Sequence, residues 1–213
     1  MENLIDKAKS YIKEYFANDC SGHDYWHSIR VYNLSKMITQ TEKCDNELVY
    51  LGSLLHDVDD YKLVGNQSEP YLNTKMFLRK ESYPEDRIKK ICNIISQVSY
   101  KGNDSVTPDT IEGKIVQDAD RLDAIGAIGI ARAFAFGGSR NLIIHDPNIP
   151  FKENMNAKEY YENKPTTINH FYEKLLKLKD LMNTNTAKAI AQQRHKYMEI
   201  FLKEFQNEWN GIS

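Results

Sequence analysis

The feature that most constrains this chain is the stretch of nine residues that begins at Leu54, LLHDVDDYK. A helix drawn through it at about 100° per residue places the leucines and the valine on one side. His56, Asp57 and Asp60 then lie within an arc of roughly 100° on the other side. Imidazole nitrogens and carboxylate oxygens on one face are suitable ligands for zinc, iron, manganese or nickel. A solvated helix end gives the same pattern, so a metal site requires more ligands from elsewhere in the chain.

A third ligand is available on the helix predicted over residues 23–41. There His27, Val31, Leu34 and Ile38 form one narrow stripe, which is the pattern of a buried helix face. A histidine in such a stripe is either a hydrogen-bonded core residue or, beside a His-Asp pair, a metal ligand. The pattern by itself allows both interpretations.

A fourth ligand is predicted in residues 117–124, QDADRLDA, where four charged side chains occupy six positions. The apolar segment that follows indicates that this part of the chain is buried, and buried carboxylates must be paired or bind a metal. Asp118 and Asp120 lie about 160° apart on a helix, so only one of them can face a metal. Residue pattern leaves the choice between them open.

The fold class predicted from periodicity is all-α, because no convincing pair of strands is found and apolar residues recur at helical spacing. At 213 residues the chain is long enough for one domain, residues 1–213, with a full hydrophobic core. Residues 139–165, rich in Asn, Pro and charge, are predicted to be a lid or an extended surface loop. The predicted helices are 2–17, 23–41, one that begins near Asp45 and carries the nine-residue stretch, 70–80, one that begins at Pro84, 107–136, 166–182 and 186–209.

Composition excludes several classes of partner. The net charge of −2 gives no electrostatic case for nucleic acid or an acidic membrane. No apolar run approaches the roughly 20 residues of a membrane span, and residues 1–7 lack the layout of a signal peptide. Three widely spaced cysteines suit a reducing compartment. We therefore expect a cytoplasmic protein; its oligomeric state is not indicated by the sequence.

Taken together, these residues resemble the H…HD…D signature of the HD phosphohydrolase superfamily. Two motifs, LLHDVDDYK at 54–62 and QDADRLDAIGA at 117–127, are similar to those of its small bacterial branch typified by the YedJ and YpgQ proteins. The resemblance covers nearly the whole chain and implies a single HD-domain helical bundle. It also implies metal-dependent hydrolysis of phosphate esters or anhydrides. For the YpgQ type it implies cleavage of nucleoside triphosphates to monophosphate and pyrophosphate.

The same resemblance implies a set of metal ligands, namely His27, His56, Asp57 and Asp120. Asp120 is favoured over Asp118 because the aspartate of the Ala-Asp-x-Leu run is the ligand in HD relatives. Two imidazoles and two carboxylates leave positions open for water and a substrate oxygen.

Four further residues are predicted to act on the substrate. Asp60 would orient or deprotonate the attacking water, as a carboxylate at this position does in HD relatives; otherwise it is a surface acid or a partner of a histidine. Lys62 would neutralise charge on the phosphate, or is simply exposed. Lys114 and Arg121 are candidate phosphate contacts, although Arg121 can instead pair with an aspartate of its own helix.

The predicted cofactor is one divalent metal ion, with manganese first and Mg, Ni, Co, Zn or Fe as alternatives. Several HD relatives bind a second metal through extra histidines, and residues 58–119 contain no histidine. The predicted partner is a small-molecule phosphate substrate, a nucleotide in the favoured interpretation. Alternatives are a nucleotide phosphomonoesterase, a hydrolase of cyclic or alarmone nucleotides, and a non-catalytic sensor of nucleotide or metal.

Overall fold

The structure, a computed structural model, describes residues 2–17, 24–59 and 69–212. These residues form α-helices, one 3-10 helix and no strand, which confirms the all-α prediction. None of these helices is both long enough and apolar enough to cross a membrane. The helices are α1 (Glu2–Tyr15), α2 (Tyr25–Ile38), α3 (Asn46–Leu55), α4 (Leu72–Lys80), α5 (Glu85–Ser96), α6 (Ile111–Asp123), α7 (Gly126–Ser139), α8 (Ala157–Glu162), α9 (Thr167–Glu173), the 3-10 helix (Leu175–Leu181) and α10 (Asn185–Trp209).

The chain divides into two compact units, residues 1–100 with 105–120 and residues 101–104 with 121–213. That residues 1–213 form a single domain stays a prediction. In the first unit α3 packs against α1, α2 and α5. At Gly52 the packing is so close that a Cβ atom would lie 3.2 Å from Ile94 Cγ2 and 3.4 Å from Val116 Cγ2. This contact fixes α3 among its neighbours.

A charged network holds the beginning of α3. Arg87 on α5 reaches Asp45 Oδ2 and Glu47 Oε2, each at 2.9 Å, and its Nε donates to the Tyr83 hydroxyl at 2.8 Å. Burial raises the pKa of Tyr83 to about 12, so its hydroxyl keeps the proton that it donates to Glu47. Glu112 of α6 accepts the backbone N–H of Asp45 at 2.8 Å. The network therefore ties α3 to α5 and α6.

The helix predicted over 107–136 is wrong in one respect, because the structure has two helices there with a break between them. Gly126, the first residue of α7, has φ 78°, in the left-handed region that favours glycine. Arg194 of α10 lies over the break, and its guanidinium donates to the carbonyl of Leu122, one of the last carbonyls of α6. The apolar pattern continues across the break, so periodicity alone did not locate it.

Residues 139–165, predicted to be a lid or a surface loop, contain the short helix α8, which begins with an Asn156–Glu159 capping box. The segment is attached to the beginning of α9 and to the buried carboxylate of Glu173. Five hydrogen bonds make this attachment: Thr167 N to Ile143 O (3.0 Å), Ile168 N to Ile144 O (3.0 Å), Asn169 Nδ2 to Ile149 O (2.8 Å), Lys152 N to Glu173 Oε1 (2.9 Å) and Asn163 Nδ2 to Glu173 Oε2 (2.8 Å).

The last two predicted helices also need correction at one point. Residues 166–182 form α9 and then the 3-10 helix, because Lys174 between them has φ −135° and ψ −61°. The helix predicted over 186–209 is present as α10. In the second unit α10 packs against α7 and the 3-10 helix, and α9 packs against α7.

Replacing Gly126 with alanine is expected to destabilise the protein. The new Cβ would lie 3.0 Å from both Cβ and Cγ of Arg194, and the left-handed backbone is strained for alanine. We expect a loss of about 1–3 kcal/mol in the free energy of unfolding, measured by chemical denaturation. Gly138→Ala is the matched control, because this helical glycine has nothing within 4 Å of its Cβ position. The control should be neutral or slightly stabilising, and equal losses in both variants would contradict the role of the break.

Candidate metal centre

His27 is placed by the first turn of α2. The carboxylate of Asp24 accepts the backbone N–H of His27 at 2.7 Å and so caps the helix. The stripe predicted for this helix is buried, since His27, Val31, Leu34 and Ile38 are each at most 7% exposed. The imidazole is therefore held in the interior of the first unit.

His56 and Asp57 follow the end of α3. The helix begins with Asp45, whose carboxylate accepts two backbone N–H groups, and it ends at Leu55. The helix drawn through Asp60 in the sequence is therefore too long, because residues 56–59 form a turn. His56 is still in right-handed helical geometry, with φ −59° and ψ −29°.

The orientation of the His56 ring is fixed by a backbone carbonyl. Its Nδ1 lies 2.8 Å from Ser53 O. Because a carbonyl oxygen only accepts, Nδ1 carries the proton, and the lone pair of the neutral ring is on Nε2. This is the arrangement by which proteins orient a histidine toward a metal.

Donor atoms of four side chains lie close together in the first unit. His27 Nε2 lies 3.2 Å from His56 Nε2, 3.3 Å from Asp57 Oδ2 and 3.4 Å from Asp120 Oδ1. His56 Nε2 lies 3.3 Å from Asp57 Oδ1 and 3.8 Å from Asp120 Oδ1. In the part of the chain that the structure describes, His27, His56 and Asp57 are the one group of three such side chains with donor atoms within 4.8 Å of one another.

These separations fit a divalent metal ion. With bonds of about 2.0–2.2 Å, adjacent ligands of a tetrahedral or octahedral ion lie about 2.8–3.6 Å apart. Four of the five separations are within that range, two of them to different oxygens of Asp57, and the fifth, from His56 to Asp120, is 3.8 Å. The donor set suits Zn²⁺, Mn²⁺, Fe²⁺ or Ni²⁺ and does not select among them.

Asp120 is the most exposed of the four side chains, at 26%, whereas His27, His56 and Asp57 are at most 7% exposed. Desolvation raises the pKa of the Asp120 carboxyl. The hydrogen bond with His27 and the attraction of the two imidazoles outweigh desolvation and hold that pKa below its ordinary value. Asp120 is therefore ionised at neutral pH, as a metal ligand must be.

Of the two aspartates left open by the sequence, the structure brings Asp120 to the histidines. Asp118 is fully buried elsewhere around α6. Asp120 as the fourth ligand, beside His27, His56 and Asp57, stays a prediction.

Of the four residues predicted to act on the substrate, the structure describes Lys114 and Arg121. Asp60 and Lys62 lie outside the described residues. Lys114 is half-buried on α6, six positions before Asp120 and so about 120° away around the helix. Arg121 is buried in the second unit, where its guanidinium donates to the carbonyl of Leu181. Their roles stay predictions.

One element of the centre was missed in the sequence, namely the attachment of the turn that carries His56 and Asp57. The carboxylate of Asp59 accepts hydrogen bonds from Asn73 and Thr74 at the beginning of α4. Three aspartates occur close together here, and no local pattern distinguishes a ligand from a helix cap 14 residues away. The sequence offers one weak indication of this contact. Tyr71, the residue before α4, is not one of the residue types whose side chains cap helices, and it makes no capping hydrogen bond.

The fold and site define a helical protein with a candidate divalent-metal centre. The model of the HD domain family matches residues 25–125, which include all four candidate ligands. YpgQ of Bacillus subtilis is 34% identical over 213 residues, covering 97% of this chain and 94% of that protein. The chain therefore belongs to the HD superfamily of hydrolases, in the branch of YpgQ, as predicted from its motifs.

Solved structures of similar proteins extend over the whole chain. A Lactobacillus plantarum protein has a TM-score of 0.89 at 38% identity and covers 99% of both chains. An HD-superfamily hydrolase of Bacillus thuringiensis has a TM-score of 0.73 at 39% identity and covers 98% of both chains. B. subtilis YpgQ in complex with ADP has a TM-score of 0.77 at 32% identity, covering 98% of this chain and 100% of that one.

The ligand assignment predicts distinct effects of substitutions at Asp118 and Asp120 of α6. Asp120→Asn should weaken Mn²⁺ binding by at least tenfold, because a charged ligand is lost, as measured by calorimetric titration of metal-free protein. Asp118→Asn is the matched control and should leave the metal affinity unchanged, even if it lowers the melting temperature. Loss of affinity in the Asp118 variant alone would reverse the assignment.

Proposed function

We propose that this protein is a metal-dependent phosphohydrolase that cleaves nucleoside triphosphates to nucleoside monophosphate and pyrophosphate. The observation that carries the proposal is the convergence of His27, His56, Asp57 and Asp120 on one point. Membership of the HD superfamily of hydrolases supports it.

The donor set accounts for a hydrolytic reaction. A divalent ion held there would act as a Lewis acid toward a phosphoryl oxygen and lower the pKa of water. The protein's own contribution is to hold two neutral imidazoles and two carboxylates in fixed orientation. The Ser53 carbonyl fixes His56, and the Asp24 cap fixes the start of α2 at His27. Four protein ligands leave coordination positions for water and substrate, and the exposure of Asp120 is consistent with access from its side.

A nucleotide substrate is supported by a relative. YpgQ, which is similar over nearly the whole length of this chain, binds ADP in its crystal structure. A nucleoside diphosphate presents the same base, ribose and adjacent phosphates as a triphosphate. We infer that the present chain binds the same class of ligand.

The proposed reaction gives a role to each residue that is predicted to act on the substrate. Water attacks the α-phosphorus, the bond between that phosphorus and the α–β bridging oxygen breaks, and pyrophosphate leaves. Asp60, three residues after Asp57, accepts the proton of the attacking water. Lys62 neutralises charge on the phosphates, with Lys114 and Arg121 as further candidate contacts.

The reaction is tested with a panel of nucleotides assayed with Mn²⁺, Mg²⁺, Co²⁺, Ni²⁺ or Zn²⁺, with pyrophosphate and orthophosphate quantified separately. We expect pyrophosphate and nucleoside monophosphate in equal amounts from triphosphates. Orthophosphate from monophosphates would indicate a phosphomonoesterase. Turnover of cyclic or alarmone nucleotides alone would indicate a hydrolase of those nucleotides. Tight binding of nucleotide and metal without any product would indicate a sensor.

Two kinds of variant separate metal binding from proton transfer. His56→Ala and Asp57→Ala should each abolish both metal binding and turnover, because a ligand is lost. Asp60→Ala should keep the metal but lower kcat by about 10²–10⁴-fold, the usual contribution of a general base. Metal content is measured by elemental analysis and turnover by pyrophosphate release. An Asp60→Ala enzyme that turns over at the wild-type rate would remove Asp60 from the mechanism.

A further inference from the structure

The turn of residues 56–59 carries two candidate metal ligands just beyond the end of a helix. Two hydrogen bonds connect the turn to α3. One joins His56 Nδ1 and Ser53 O, and the other runs from Val58 N to Leu55 O at 3.2 Å. A turn of four residues outside a helix has fewer backbone hydrogen bonds than a helix interior, so the ligands need support from elsewhere. The structure supplies this support from α4.

The beginning of α4 contacts the turn at two consecutive residues. Asp59 Oδ1 accepts the backbone N–H of Asn73 at 2.9 Å, and Asp59 Oδ2 accepts the N–H and the hydroxyl of Thr74 at 2.9 and 2.7 Å. The side-chain amide of Asn73 donates to Val58 O at 2.9 Å. Four hydrogen bonds therefore act on the two residues directly after Asp57.

This contact also provides hydrogen-bond acceptors for backbone N–H groups in the first turn of α4. The residue before the helix, Tyr71, is left-handed with φ 58° and makes no side-chain cap. The Asp59 carboxylate takes the place of the cap and lies at the positive end of the helix dipole. Thr74 is fully buried, so the bond from its hydroxyl to a carboxylate is shielded from water and strong. The turn and the helix thus fix each other.

We propose that Asn73 and Thr74 are positioning residues of the metal centre, which hold Val58 and Asp59 so that His56 and Asp57 point at a common ion. The inference rests on the proposed function, since it concerns the same metal. Asn73 and Thr74 do not touch the ion or the substrate. They act through the backbone of the turn, as residues behind metal ligands commonly do.

The test is the affinity of metal-free protein for Mn²⁺, measured by calorimetric titration without substrate. Thr74→Ala and Asn73→Ala should each raise the Kd about tenfold, within the range observed when support behind metal ligands is lost. Thr74→Ser keeps the hydroxyl and should restore wild-type affinity. The backbone donors to Asp59 remain in all three variants, so the fold of α4 is retained.

Two controls distinguish positioning from a general loss of stability. Tyr15→Phe removes only the hydroxyl that accepts the other hydrogen bond of Asn73, at 3.1 Å, and should leave the Kd unchanged. Arg87→Met disrupts the network around Asp45 in the same unit and should lower the melting temperature without changing the Kd.

Each outcome is decisive. A wild-type protein that does not bind Mn²⁺ or the other divalent ions would overturn the proposed function and this inference with it. A wild-type protein that binds metal, with Thr74→Ala and Asn73→Ala variants of equal affinity and lower melting temperature, would leave the proposed function standing. In that case the contact is a helix cap only, and the positioning role is wrong.

Discussion

The constraint on which the first unit depends is the crowding of two imidazoles and two carboxylates among apolar helices. His27, His56 and Asp57 are all buried, and such groups are costly to bury unless they are paired or bind a cation. Their donor atoms nevertheless lie 3.2–3.3 Å apart. A divalent cation would accept the lone pairs of all these groups, so the arrangement is physically sensible as a site that is completed by a metal.

Ordinary secondary-structure devices hold the ligands in place. A cap at Asp24 sets the start of α2, a carbonyl at Ser53 sets the ring of His56, and the helix α6 presents Asp120. Each of these devices satisfies a backbone group as well as a ligand. At Asp24 and Ser53, the hydrogen bond that involves a backbone group of the helix therefore also places a candidate ligand.

Much of this could be predicted from the sequence, because helical periodicity and ligand chemistry are local properties. The stripe through His27 and the pair His56-Asp57 were identified from spacing, and the family resemblance favoured Asp120. The end of α3 at Leu55 was missed because Val58 continues the apolar side of the helix, and the break at Gly126 was missed because apolar residues continue through it. The link from Asp59 to Thr74 joins parts of the chain whose proximity only the folded structure reveals, so no local pattern could identify it.

The attachment of residues 143–163 to α9 has a consequence for the dynamics of the second unit. Five hydrogen bonds, two of them to the buried carboxylate of Glu173, must break before this segment can move away from α9. Such an event is local unfolding, which takes microseconds to seconds, rather than the nanosecond motion of an unrestrained surface loop. Movement of residues 143–163 away from α9 would thus be rare, because it must cross the energy barrier of local unfolding.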